Sequence, residues 1–230
     1  MKAYQFTALI LYPLTVLFLS TTLAGHIPPS YFSNSRNVLN VYFVKLGWLW
    51  STIAFGSLVI FQPLKRLVPS MGRYVCMTLY WIIMTQWLLG PSLVDRMFVA
   101  TGGSCHYLPN NDENGMSGLN TSPLTAVLQQ TTCRSTGGSW HGGHDVSGHC
   151  VLLIHASLFL LEESMQQPDK RKKIIAWAFL GLWYWMLAMT SIYFHGYREL
   201  LSGAFFGILG WVILYLGLFP NCQPLAPCYN

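Results

Sequence analysis

Two histidines stand in settings that suit phosphate chemistry. His149 closes the stretch Trp140-His141-Gly142-Gly143-His144-Asp145-Val146-Ser147-Gly148-His149, which leads straight into an apolar run. Ser147-Gly148-His149 entering a helix has a physical rationale. Glycine lets the backbone approach closely, N–H groups at a helix N-terminus attract an anion, and a histidine there can protonate a leaving oxygen. The second is His195, in Tyr193-Phe194-His195-Gly196-Tyr197-Arg198-Glu199. Glu199 stands four residues on, so on a helix its carboxylate reaches the imidazole and can fix its tautomer, as the third member of a triad does. Two histidines and a carboxylate orienter suit attack on phosphorus through a phosphohistidine.

Blander readings compete at each position. A lone membrane histidine is often a hydrogen-bonded packing residue, although intramembrane ionisable groups are functional hypotheses by default. His155, six positions beyond His149, turns to a different helix face and reads as structural. His141, His144, Asp145 and His149 could be taken for metal donors, but H-x-x-H is not an i, i+4 pair and Gly142-Gly143 breaks any helix that would hold it. No metal or cofactor is expected. Asp145 is better placed to orient a neighbour or cap the next helix. Arg134 and Arg198 are the guanidiniums available to a substrate phosphate, which favours bidentate donors. Asp95-Arg96 reads as a local ion pair, and Cys222 and Cys228 as sites that acylation could use.

The elements that must position these groups are membrane helices. Of 230 residues, 53% are hydrophobic and 9% charged, and the apolar residues come as uninterrupted blocks rather than as stripes. The blocks predict an all-α polytopic membrane protein: one transmembrane domain over 1–230 with six transmembrane helices, at about 4–24, 41–61, 74–89, 147–161, 174–194 and 200–219, and a long polar loop at 92–146. The net charge of +5 comes from residues at the block edges, which reads as topology and not as a nucleic-acid groove. Lys2, then Lys65, Arg66 and Arg73, then Lys170 to Lys173 mark one side as cytosolic, together with both termini. The other side is then luminal, and it carries the sequon at Asn120 and the pair Cys105 and Cys133, which could form a disulfide there. No CxxC spacing suggests a zinc ribbon, and no internal repeat suggests a transporter. Depth poses a problem: at about 1.5 Å per residue His195 lies ~30 Å from Lys173, but His149 only ~20 Å from Glu162. Either Glu162 and Glu163 are pulled below the headgroups, or the site is sunk into a luminal pocket.

The segments Asn40-Val41-Tyr42-Phe43-Val44-Lys45-Leu46-Gly47-Trp48, Gly90-Pro91-Ser92-Leu93-Val94-Asp95-Arg96, Thr101-Gly102-Gly103-Ser104-Cys105, Cys133-Arg134-Ser135, His144 to His149 and Tyr193-Phe194-His195 resemble the fat storage-inducing transmembrane family, in its short, fungal-type form. The resemblance spans nearly the whole chain in one order. It implies an endoplasmic-reticulum membrane protein with six spans, involved in lipid-droplet formation and distantly related to lipid phosphate phosphatases. It also implies an acyl-CoA diphosphatase giving acyl 4′-phosphopantetheine and adenosine 3′,5′-bisphosphate, with His149 and His195 as its catalytic pair. By phosphatase analogy His195 is the nucleophile and His149 the acid. The phosphatases' first motif, a lysine followed by Arg-Pro, has no counterpart, and Ala188-Met189 stand where their third motif carries Ser-Arg. The implied partners are fatty acyl-CoA, neutral lipids and reticulum phospholipids. The competing expectation is a non-enzymatic binder that partitions diacylglycerol or triacylglycerol into droplets.

Overall fold

In lipid a backbone must satisfy its own N–H and C=O groups, so apolar runs of this length become helices. The computed structural model describes residues 1–85, 92–106, 130–135 and 137–228. Its helices are α1 (Ala3–Thr22), α2 (Gly47–Val59), α3 (Leu64–Thr85), α4 (Leu93–Ala100), α5 (Gln130–Ser135), α6 (Gly148–Gln166), α7 (Lys170–Tyr193) and α8 (Tyr197–Trp211). A π-helical turn, Leu39–Val44, precedes α2, and another π-helical segment, Val212–Leu218, prolongs α8. Among the described residues four helices are long and apolar enough to cross a membrane: α1, α3, α7 and α8 with its extension. The described residues form two compact units, Met1–Trp81 with Ser147–Asn230, and Ile82–Val146.

In the first unit α6 is the central helix, packed on α2, α7 and α8. Nearly every residue from Cys150 to Ser164 is buried, which accounts for its polar content: it is solvated by its neighbours and not by lipid. Glu163 receives Arg73 Nε at 2.7 Å and Tyr215 Oη at 2.6 Å. Glu162 accepts from Tyr4 Oη at 2.8 Å, Gln5 Nε2 at 2.8 Å and Trp211 Nε1 at 3.0 Å. Buried charge is tolerated only when paired and hydrogen-bonded in this way. The two carboxylates are therefore drawn into the bundle. Arg73, grouped by sequence with the basic residues of a loop, is instead a buried ion-pair partner.

The helix carrying Arg73 starts at Leu64, well before the apolar run that announces it, and Pro69 lies inside it. Arg66, Ser70 and Arg73 recur at i, i+4 and i+7 and so share one face. Arg73 on that face donates to Ser70, Glu163 and Gln166.

Gly203 and Gly207 set the distance between α8 and α6. A Cβ at Gly203 would lie 2.8 Å from the Ser147 carbonyl, and one at Gly207 3.0 Å from that of Val151. This is the small-xxx-small device by which membrane helices bring their backbones together.

The second unit gives structure to the polar stretch. Ser92 caps α4, its Oγ accepting from Asp95 N at 3.1 Å. Strand β1 (Ser104–His106) pairs antiparallel with β2 (Ser139–His141), Ser104 opposite His141. Cys105 and Cys133 form a disulfide, with Cα atoms 5.8 Å apart. Gly142 has φ +94°, and a side chain at Gly143 would collide with the Phe98 carbonyl and with Gly103. The paired glycines of the histidine-rich stretch thus serve close packing against the end of α4.

Candidate active site

The first turn of α6 is fastened to the first turn of α8. Ser147 is the N-cap of α6, its Oγ accepting from Cys150 N at 3.4 Å, so this role falls to Ser147 and not to Asp145. The Ser147 N–H donates to the Glu199 carbonyl at 3.2 Å, and Cys150 Sγ donates to that of Leu200 at 3.3 Å. Gly203 closes the contact from the α8 side. Gly148, the first residue of α6, is exposed, and a Cβ there would meet nothing within 4 Å. Its backbone borders open space at a helix N-terminus, where anions are favoured.

His195 lies in the short link between α7 and α8. Its Nδ1 is 3.0 Å from Glu199 Oε2, and the same oxygen accepts Gly196 N at 3.4 Å. An ionised carboxylate only accepts, so Nδ1 carries the proton and Nε2 keeps its lone pair for an electrophile. The His195 and Glu199 side chains are 20% and 33% exposed, open enough for a ligand to reach them.

His149, half-buried on α6, interacts electrostatically with His195 and with Lys45. Far apart in sequence, the two histidines are neighbours at one end of the first unit. His155 is elsewhere: fully buried, it holds the Met77 carbonyl through Nε2 at 3.0 Å and stacks on Trp48 and Tyr80 with centroids 5.3 and 5.1 Å away. Its offset from His149 announces that packing role.

The remaining sequence candidates divide. Arg198 is exposed and turned to its neighbour, Nε donating to Tyr197 Oη at 3.0 Å and the guanidinium 5.7 Å from that ring. Asp145 belongs to the second unit, as do Cys105 and Cys133. Asn120 and the Arg134 side chain lie outside the described residues. Among the described residues no three His, Cys, Asp or Glu side chains cluster as metal ligands would.

Lys45 is the residue that sequence reasoning passed over. A signal existed: it is a cation at the end of an apolar block opposite to the end where Lys65 and Arg66 gather, against the usual charge bias.

Helices long and apolar enough to cross a bilayer, enclosing a polar central helix and bringing two histidines together at one end, define a helical membrane protein with a paired-histidine candidate site. The chain belongs to the fat storage-inducing transmembrane protein family, whose pattern matches residues 28–173 and 164–215. It is 40% identical over 195 residues to acyl-coenzyme A diphosphatase fit1 of Schizosaccharomyces pombe, covering 81% of this chain and 73% of that protein. It is 31% identical to acyl-coenzyme A diphosphatase FITM2 of Xenopus tropicalis, over 87% of this chain and 76% of the relative. With the human protein of that name the identity is 30%, over 85% and 75%. No solved structure matches the chain.

Proposed function

We propose that this protein is a membrane hydrolase that splits the pyrophosphate of fatty acyl-CoA, as the names of its relatives describe for them. The observation that carries the reading is the hydrogen bond between His195 and Glu199 beside the α6 turn that bears His149. In this mechanism Glu199 holds Nδ1–H, and His195 Nε2 attacks one phosphorus. The P–O bond to the bridging oxygen breaks, and the departing phosphomonoester takes a proton from His149. Water, deprotonated by the now neutral His149, then cleaves the phosphohistidine. The sum is one water consumed and two phosphomonoesters formed, acyl 4′-phosphopantetheine and adenosine 3′,5′-bisphosphate.

The setting we infer is the endoplasmic-reticulum membrane, with six spans, both termini cytosolic and the histidines facing the lumen. The Cys105–Cys133 disulfide supports an oxidising compartment for the second unit. Lys65, Arg66 and Lys170 to Lys173, all far along the chain from the histidines' end of their helices, support the orientation. Lipid-droplet formation and membrane lipid balance are the processes that such an activity serves.

A second reading, a diacylglycerol or triacylglycerol binder, is favoured by an apolar groove of about 430 Å³ between α1 and α8, lined by Leu9, Pro13, Leu201, Phe205 and Ile208 among others. Purified protein assayed on acyl-CoA separates the two. Hydrolysis should vanish in His149→Ala and His195→Ala while neutral-lipid binding persists. Undiminished hydrolysis in either variant would overturn the mechanism, and no hydrolysis by the unaltered protein would leave the binder.

A further inference from the structure

A diphosphate must be held as well as attacked, and Arg198, the obvious cation, commits its Nε to Tyr197. Lys45 is not so occupied. Among the described residues its ammonium has no hydrogen-bond or ion-pair partner, and its side chain is exposed. It comes directly after the π-helical turn Leu39–Val44, its own N–H donating to the Asn40 carbonyl at 3.0 Å. Such turns place an extra residue in a helix and re-aim the side chains beyond it, and they recur at functional sites. Here Val44 is turned fully into the core and Lys45 out of it.

The level of Lys45 along the bundle is set by its neighbours. A Cβ at Gly47 would touch Leu152 at 3.0 Å, and Trp48 stacks on His155. Since α2 lies against α6 in that register, Lys45, two residues before Gly47, stands beside the α6 turn that carries His149. The electrostatic interaction of the two side chains agrees with this placement. Lysine at an interface often extends its head into water, and Lys172 at the other end of α2 ties its ammonium to the Ile60 carbonyl at 3.1 Å. Among the described residues Lys45 has no such carbonyl.

We propose that Lys45 is the anion-binding residue of the site, its ammonium holding a non-bridging oxygen of the diphosphate against His149 and His195. The proposal rests on the hydrolase reading for its substrate and on the α2–α6 register for its geometry. A charge-assisted hydrogen bond of this kind affects affinity by roughly tenfold to a hundredfold.

The test compares unaltered protein, Lys45→Gln and Lys45→Arg, purified in detergent, with acyl-CoA as substrate and inorganic pyrophosphate as inhibitor and ligand. Lys45→Gln should raise KM for acyl-CoA and the inhibition constant for pyrophosphate at least tenfold, and lose the pyrophosphate-induced rise in thermal midpoint. Lys45→Arg should restore most of both, with the ligand-free midpoint unchanged. If Lys45→Gln matches unaltered protein in KM and inhibition while His195→Ala is inactive, Lys45 does not bind substrate and the hydrolase reading stands. If unaltered protein fails to cleave acyl-CoA, the hydrolase reading falls, and the pyrophosphate midpoint alone decides Lys45. A rise confined to proteins with a cation at position 45 retains the anion site; equal rises in all three, or none, overturn it. Equal losses in Lys45→Gln and Lys45→Arg also overturn it, because charge is then not the cause.

Discussion

Glu199 faces Ser147 with its main chain and His195 with its side chain: its carbonyl accepts the Ser147 N–H at 3.2 Å while its carboxylate meets His195 Nδ1 at 3.0 Å. One residue therefore fixes both the start of the helix bearing His149 and the ring of His195. Glu199→Gln keeps the backbone bond and removes the charge that stabilises an imidazolium. By comparison with other orienting carboxylates, kcat should fall about 10²-fold to 10⁴-fold with KM little changed. Steady-state hydrolysis checks this, and an unaltered kcat would remove Glu199 from the mechanism.

The two histidines should separate by leaving group. A substrate whose leaving group needs no proton, p-nitrophenyl phosphate, bypasses a general acid but not a nucleophile. In the pre-steady-state burst, which reports phosphoenzyme formation alone, His149→Ala should then lose at least tenfold less rate on it than on acyl-CoA, whereas His195→Ala should be equally inactive on both. Equal losses for the two variants on both substrates contradict the assignment.

Gly203 should tolerate no side chain. Alanine there places a methyl group 2.8 Å from the Ser147 carbonyl, an overpacking that costs about 1–3 kcal/mol and moves the first turn of α6. We expect a lower thermal midpoint and a loss of activity out of proportion to it. Gly181, on α7, meets nothing within 4 Å, and Gly181→Ala should be neutral or stabilising by ~1 kcal/mol. Comparing the two midpoints isolates the helix contact from helix propensity.

The ion pair of Arg73 and Glu163 should be far more sensitive to losing one member than both. Arg73→Met strands a carboxylate that is almost fully buried, at a cost of about 3–5 kcal/mol. Arg73→Met combined with Glu163→Gln should recover much of that. A double variant no more stable than Arg73→Met refutes the pairing as the source of the loss.

Much of this arrangement was legible from residue types. The apolar blocks around α1, α7 and α8 announce helices because lipid leaves the backbone no other solution. The i, i+4 spacing of His195 and Glu199 announces their hydrogen bond. What escaped lay where a tertiary partner compensates for an unfavourable local signal. Lys65, Arg66 and Pro69 read as a loop because nothing local shows that Arg73 on the same face meets Glu163. In the polar stretch, Ser92 and Asp95 carry a recognisable helix-start signal, yet α4 is hidden by the composition around it. The strand pairing of Ser104 with His141 has no local signal at all, since it joins segments far apart in the chain. Lys45 was visible as a charge in an unexpected place, but only the fit of Gly47 on Leu152 says what it stands beside.

The seclusion of α6 bears on how the protein is made. Glu162 and Glu163 are satisfied by α1, α3 and α8 with its extension, and two of those contacts come from Trp211 and Tyr215, which are synthesised after α6. A nascent α6 therefore has two carboxylates and no finished enclosure, and oil is a poor place for it to wait. Assembly should then keep that segment in contact with water or with other polar groups until α8 arrives. A chain interrupted after α7 should be retained by quality control even though most of its hydrophobic segments have already been synthesised.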